Sequence, residues 1–367
     1  MTQQARRPAS GFIRPPSPDQ SAHRAGRVLP SVRVGALRPA ARPSQPVVRR
    51  RPPARRRTPF TAYVFVAALV AALVFGVRAL RQRTHTAATS APAQAAARPR
   101  GAPSLWVDPQ YVSRYQSQLE AFLAGRPGKF AVAAVDLNSG ASLTTDADTP
   151  YRAASVNKLE LVVGLYRRAV ARQLDLDTTI ALSEEDIQRY GTGTLQIAGA
   201  GQVLSWRDLA RLLIEQSDNT ASYVIGKKLG LPALQGEIEG WGLKQTSLAD
   251  NTTTTADVAT LLSLLYARKL LPEAQTQEVL TLLQNTVWTD RLQTGVPATI
   301  PVAHKIGTDV NVFNDAALFL NGQRPYIVVA LSTGADEGAA QDTLAQISRL
   351  AYQFEAGLPA VTRTVRR

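Results

Sequence analysis

There is no cysteine in the chain, which removes disulfide staples, cysteine-ligated zinc and a thiol nucleophile together. Histidine is almost as scarce, confined to His23, His85 and His304. Two of the three lie outside the stretch with globular character, leaving too few for a histidine-rich metal site or a conventional Ser-His-Asp triad. No GxSxG elbow, HExxH helix, Walker loop or GxGxxG turn occurs, so several common enzyme classes fall away. No cofactor and no metal are expected.

Positive charge is abundant overall, +14 over 367 residues, but the C-terminal two thirds has none to spare. Residues 1–58 hold 14 Arg against one acid, Asp19, and five further Arg with no acid lie between Arg78 and Arg100. Residues 101–367 then keep 23 bases against 27 acids, a formal charge of −4. The surplus belongs to the N-terminal appendage, and nucleic acid is not an expected partner of the remainder.

Residues 1–57, rich in Arg, Pro, Ser and Ala, bury too little apolar surface to offset chain entropy and read as a disordered cytoplasmic tail. A role for it at anionic lipid or nucleic acid is the alternative to a solvated segment. Residues 58–77 carry no charge, about the length of a bilayer-spanning helix, and a transmembrane segment is expected over 58–80. The basic excess before it keeps the N-terminus inside and places the C-terminal remainder of the chain outside the cytoplasm, in the periplasm. A cleaved signal peptide is the competing reading, with the Ala-rich residues 91–97 as its cleavage region. Residues 81–104, rich in Ala, Pro and Thr, form a linker. A folded domain over 105–357 and a short tail over 358–367 complete the chain.

Within the domain, periodicity predicts an amphipathic helix to about Leu123, then strands over 130–136 and 141–145 turned at Asn138-Ser139-Gly140. Helical patterns occupy 155–173, 205–216, 220–229, 256–268 and 273–285. Three strands come next, over 302–308, 315–320 and 326–331, the last two joined through Asn321-Gly322, before a helix over 339–354. Strands at both ends with helices between imply an α/β (α+β) fold. It has one antiparallel sheet formed from both ends of the domain, flanked by helices, with an inserted all-helical lobe. No internal repeat is present.

Three short motifs carry chemistry. Ser155-Val156-Asn157-Lys158 opens a helix that is apolar nearly all round, so the helix is expected to be central and buried. A serine and a lysine three residues apart share a helix face, and a buried amine has its pKa lowered toward a value at which it accepts a proton. Free backbone N–H groups at the helix start suit developing negative charge. Ser217-Asp218-Asn219 comes directly after the helix bearing Leu209, Leu212 and Leu213, which suits proton delivery and amide recognition. His304-Lys305-Ile306-Gly307-Thr308 lies on a strand, where Lys305 offers a fixed charge to a substrate carboxylate and Gly307 lets substrate approach the backbone. Singly, each motif is no more than a helix cap or an ordinary strand.

Together and in this order, with Tyr190 and GTGTLQ and with the segment over 250–262, they resemble the class A β-lactamases and penicillin-binding SxxK enzymes. The resemblance implies that Ser155 is acylated, that Lys158 is its base and proton relay, and that Ser217 passes a proton to the leaving nitrogen. It implies further that Asn219 and Tyr190 contact substrate, that Lys305 with Thr308 binds its carboxylate, and that the backbone N–H groups of Ser155 and Thr308 form the oxyanion hole. The sequence departs from the family twice. Ile306 stands where a hydroxyl residue is usual, with Thr308 placed by alternation to substitute. No ExxLN occurs between Asn219 and Asn251, so the glutamate that activates the deacylating water is missing, and Glu237, Glu239 and Asp250 are the only nearby acids. The expected partner is a β-lactam, hydrolysed slowly, or a cell-wall peptide ending in D-Ala-D-Ala. A noncatalytic membrane-anchored binding module is the alternative from another class.

Overall fold

The structure, a computed structural model, describes residues 105–359. The predicted tail, membrane segment and linker lie outside these residues, as does most of the C-terminal tail. Among the described residues no helix is long and apolar enough to cross a membrane.

Helix α1, Pro109–Ala124, starts where Asp108 accepts a hydrogen bond from the Gln110 N–H at 2.9 Å with proline at the first helical position, and stops at Gly125. Strands β1, Lys129–Asp136, and β2, Ser142–Thr145, make the first hairpin. At the other end β7, Val302–Asp309, β8, Val312–Phe319, and β9, Tyr326–Thr333, form a meander. The five join in the order β2-β1-β9-β8-β7, with β1 antiparallel to β9 from Lys129 opposite Thr333 to Asp136 opposite Tyr326. The predicted sheet built from both ends of the domain is therefore present. Strand β8 begins three residues before the predicted Asp315, because the tight turn after Asp309 lets Val312 pair at once.

Every residue of β8 is buried, unusual for an antiparallel strand, and the reason is that helices cover both faces of the sheet. On one face α1 and α9, Glu337–Ala356, pack Leu119, Leu344, Ile347 and Phe354 against Val132, Val328 and Phe319. The other face meets the inserted lobe. Its central helix α2, Lys158–Val170, is buried without a break from Lys158 to Tyr166.

Around α2 lie α4, Trp206–Glu215, α5, Asn219–Leu229, α6, Leu231–Gly240, α7, Thr255–Tyr266, and α8, Glu273–Gln284, with a single-turn α3 at Leu195–Ala198. The lobe is not all helical. Tyr151–Arg152 (β3) pairs with Thr252–Thr253 (β6), and Thr179–Ala181 (β4) with Val203–Ser205 (β5). Pairs this short leave no readable alternation in sequence. Helix α6 also escapes periodicity, since of its ten residues only Leu234 and Ile238 are buried.

Candidate active site

The segment read as one helix from residue 155 begins instead as a 3₁₀ turn, Ala154–Asn157, and becomes α-helical at Lys158. Ala154 holds φ at 49°, a left-handed conformation that costs a non-glycine residue free energy and persists only where its surroundings impose it. Those surroundings are identifiable. The Ala153 N–H donates to the Asn251 carbonyl at 2.9 Å, and the Asn314 amide donates to the carbonyls of Arg152 and Ala153 at 2.7 and 3.2 Å. Sheet and lobe together thus aim the turn that carries Ser155.

Ser217 is likewise left-handed, with φ at 57°. Its turn is pinned by Asp218, fully buried, which accepts from the N–H groups of Ala221 at 3.0 Å and Leu195 at 2.9 Å. A Cβ at Gly193 would lie 2.1 Å from an Asp218 carboxylate oxygen, so only glycine fits there. The turn presents Ser217 and Asn219 to Lys158, whose ammonium donates to the Ser217 carbonyl at 2.6 Å, Ser217 Oγ at 3.1 Å and Asn219 Oδ1 at 2.8 Å. Asn219 in turn donates to the Tyr190 carbonyl at 3.0 Å. Lys158 is 3% exposed, and burial pushes its pKa down to about 7, with Asp218 pulling the other way. Near neutrality a large share of this amine is uncharged and can accept a proton.

Ser155, Lys158, Tyr190, Asn219 and Thr308 line one cavity of about 770 Å³. Ser217, Lys305 and Gly307 lie behind its wall. Lys305, expected to hold a substrate carboxylate, does not reach the cavity. It is fully buried, its ammonium donates to the Ile306 carbonyl at 3.1 Å, and burial first, then Lys158, hold its pKa well below the usual lysine range. The space left by Gly307 is taken by the protein itself rather than by substrate. A Cβ there would meet the Ala153 carbonyl at 2.6 Å, so this glycine lets β7 close on the turn carrying Ser155. Ile306 is buried, while Thr308 is exposed in the cavity wall.

Sequence reasoning missed Arg291. Its guanidinium, 2% exposed, donates to the Gly307 carbonyl at 2.8 Å, the Asn314 carbonyl at 2.7 Å and Thr308 Oγ1 at 2.5 Å. It is the cation in contact with the one strand hydroxyl that faces the cavity. Nothing local marks it, because its acceptors lie 16 to 23 residues away. Asn314 and Asp218 escaped for the same reason, although Asp218 sits inside a recognised motif. His304 pairs with Asp315 at 3.0 Å deep in the sheet and takes no part in the cavity.

Among the described residues Asp309 is the one acid in the lining, and Arg152 holds it at 2.8 Å. Glu237 is paired with Arg168 and Arg167, Glu239 accepts from Gln235, and Asp250 accepts from Ser247. None of the three lines the cavity.

Residues 114–354 match the sequence profile described as the beta-lactamase enzyme family. The chain belongs to this family. It is a serine hydrolase of the β-lactamase type. Among this β-lactamase family member's relatives, the extended-spectrum β-lactamase PER-1 of Pseudomonas aeruginosa is 24% identical, over 65% of this chain and 87% of its own length. A β-lactamase of Streptomyces lavendulae is 27% identical, over 71% of this chain and 91% of its own. Of solved structures, PBP-A superposes with a TM-score of 0.62 at 26% identity, covering 66% of this chain and 95% of PBP-A. A PBP-A mutant captured as an acyl-enzyme complex with penicillin G matches with the same TM-score and identity.

Proposed function

We propose that the enzyme is acylated by β-lactams at Ser155 and hydrolyses the resulting ester slowly. The buried Lys158 amine, one turn from Ser155 and hydrogen-bonded to Ser217 and Asn219, carries this reading. Neutral Lys158 takes the proton from Ser155 Oγ as that oxygen attacks the lactam carbonyl carbon. The C–N bond breaks, and the proton passes from the amine through Ser217 Oγ, 3.1 Å away, to the leaving nitrogen. Backbone N–H groups of Ser155 and Thr308 receive the oxyanion, and Thr308 with Arg291 receives the substrate carboxylate. The penicillin G acyl-enzyme of the PBP-A mutant supports β-lactams as acyl donors here.

Slow release follows from the lining. Among the described residues its one acid, Asp309, is paired with Arg152, which supports a site lacking an unpaired carboxylate to activate water. The same observation favours a second reading, a peptidase acting on D-Ala-D-Ala ends of cell-wall peptides. Intact-protein mass spectrometry after exposure to benzylpenicillin tests the proposal. A persistent adduct of one penicillin mass is expected, absent from Ser155→Ala and present in Ser113→Ala, an exposed control. Labelling of Ser155→Ala would sink the assignment.

The domain is further proposed to act outside the cytoplasm, held to the membrane through residues 58–77, whose uncharged run supports the reading. The full chain should then sediment with membranes and resist carbonate extraction. Recovery in the soluble fraction would refute the anchor.

A further inference from the structure

The two backbone N–H groups proposed to receive the oxyanion come from opposite sides of the sheet–lobe boundary, Ser155 from the 3₁₀ turn ahead of α2 and Thr308 from β7. Such a pair works only when its spacing is fixed before charge develops on the substrate. In the register of β7 with β8, Asn314 stands opposite Gly307 and Phe313 opposite Thr308. The Asn314 side chain is fully buried and engaged at both ends. Its oxygen accepts from the Ser332 N–H of β9 at 2.8 Å, and its amide nitrogen donates to the carbonyls of Arg152 and Ala153 at 2.7 and 3.2 Å. Two carbonyls on one side and an N–H on the other leave a single orientation for the amide.

Both donors are tied to this residue. On the turn, Asn314 grips the two carbonyls that precede Ala154, so Ala154, with φ at 49°, is the one residue between the grip and Ser155. On the strand, the Thr308 N–H shares its peptide unit with the Gly307 carbonyl. That carbonyl accepts from Arg291 Nη1 at 2.8 Å, and the same nitrogen donates to the Asn314 carbonyl at 2.7 Å. Turn and strand also touch where the amide binds, since a Cβ on Gly307 would meet the Ala153 carbonyl at 2.6 Å.

Building on the oxyanion role proposed above for Ser155 and Thr308, we propose that Asn314 is a positioning residue that sets the spacing of these two donors and so governs the rate of acylation rather than the affinity for substrate. Asn314 does not line the cavity, and it acts through the turn and the strand without touching substrate. Its amide holds Ala154 in a left-handed conformation that alanine resists. Without that grip Ala154 relaxes, and the Ser155 N–H turns away from Thr308. Ser332 provides a structural comparison on the same stretch of β8. Its hydroxyl accepts from the Phe313 N–H at 2.9 Å and donates to the Phe313 carbonyl at 2.8 Å, with no hydrogen bond to the turn.

The test uses the full-length protein and four measurements: the limiting rate of acylation by benzylpenicillin, the penicillin concentration giving half that rate, the Kd of phenylboronic acid, and Tm. Phenylboronic acid probes the oxyanion site because its tetrahedral adduct with a serine mimics the transition state. Asn314→Ala should lower the limiting rate about 10²-fold or more, move the half-saturating concentration less than threefold, and weaken phenylboronic acid in step with the rate. Asn314→Asp, equal in size but with an acceptor in place of the donor, should do the same and decides the matter should Asn314→Ala not fold. Adding Ala154→Gly, which removes the penalty of the left-handed turn, should raise the rate at least about fivefold more in Asn314→Ala than in the unsubstituted protein. Ser332→Ala should lower Tm yet keep the limiting rate within threefold. Limiting rates within threefold of the unsubstituted protein in the Asn314 variants, a loss confined to the half-saturating concentration, an unchanged Kd for phenylboronic acid, or an equal rate loss in Ser332→Ala would each overturn the inference. Failure of the unsubstituted protein to be acylated at Ser155 would instead refute the underlying chemistry, and this inference with it.

Discussion

Lys158 Nζ and Ser217 Oγ lie 3.1 Å apart across the join between two helices, while among the described residues Ser155 makes no hydrogen bond to that amine. The Lys158 amine therefore rests on the Ser217 side of the site. To act on Ser155 it must exchange one of its three acceptors for the serine hydroxyl, a rotation within a side chain already held at its α2 backbone. The strained turns at Ala154 and Ser217 fix both ends of that short path.

Acylation should track the titration of Lys158. Its pKa is lowered to about 7 by burial, and the neutral form is the reactive one, so the rate should rise as pH increases from 5 and level off above about 7. Stopped-flow acylation by a chromogenic cephalosporin across this range gives the profile. Lys158→Ala should lose about 10²–10⁴-fold in rate and the inflection with it, while circular dichroism stays native. A profile without an inflection between pH 6 and 8 would remove Lys158 from the base role.

Turnover of a penicillin should show a burst equal to the enzyme present, succeeded by a much slower steady state. Glu237→Gln should leave the slow phase unchanged, because Glu237 is engaged by Arg168 and Arg167 outside the cavity. Elimination of steady-state turnover by that substitution would show that the carboxylate reaches the ester after all.

Arg291→Ala should damage both substrate affinity and stability. The guanidinium satisfies Gly307, Asn314 and Thr308 at once, and each buried acceptor left bare costs about 1–3 kcal/mol. A lower Tm is expected together with a tenfold or greater rise in the concentration of penicillin needed for half-maximal acylation rate. Arg291→Lys, a point charge without the planar fork, should restore only part of each.

Glu160 supplies a pH test of the fold. Among the described residues neither of its buried carboxylate oxygens has a side-chain partner, and burial first, opposed by its own backbone N–H and aided by repulsion from Asp257, raises its pKa to about 8. The folded state thus holds a proton that the unfolded chain releases near pH 4.5, and this group's contribution to stability declines as pH rises from about 4.5 to 8. Glu160→Gln should therefore stabilise the protein by about 3 kcal/mol at pH 7 and by little at pH 4, as measured by urea unfolding. An equal effect at both pH values would show that Glu160 does not titrate in this window.

The sequence by itself determined the linear arrangement: that Ser155 and Lys158 lie one turn apart, and that strands at the two ends close a single sheet around an inserted lobe. These are legible because helix period, strand period and a three-residue spacing are local properties. Tertiary structure decided how the site is held and which side chains line its cavity. Arg291 gains its acceptors only when β7 and β8 bring Gly307, Thr308 and Asn314 around it. Gly307 proved to be a contact with Ala153 across the sheet–lobe boundary, and Lys305 a buried amine behind the wall. The cavity has its extent because α6, which periodicity did not reveal, ends it at Gly230 and Leu231, and because Leu248 stands opposite. Each of these depends on residues far apart in the chain converging through packing, and packing leaves no period in a sequence for the eye to find.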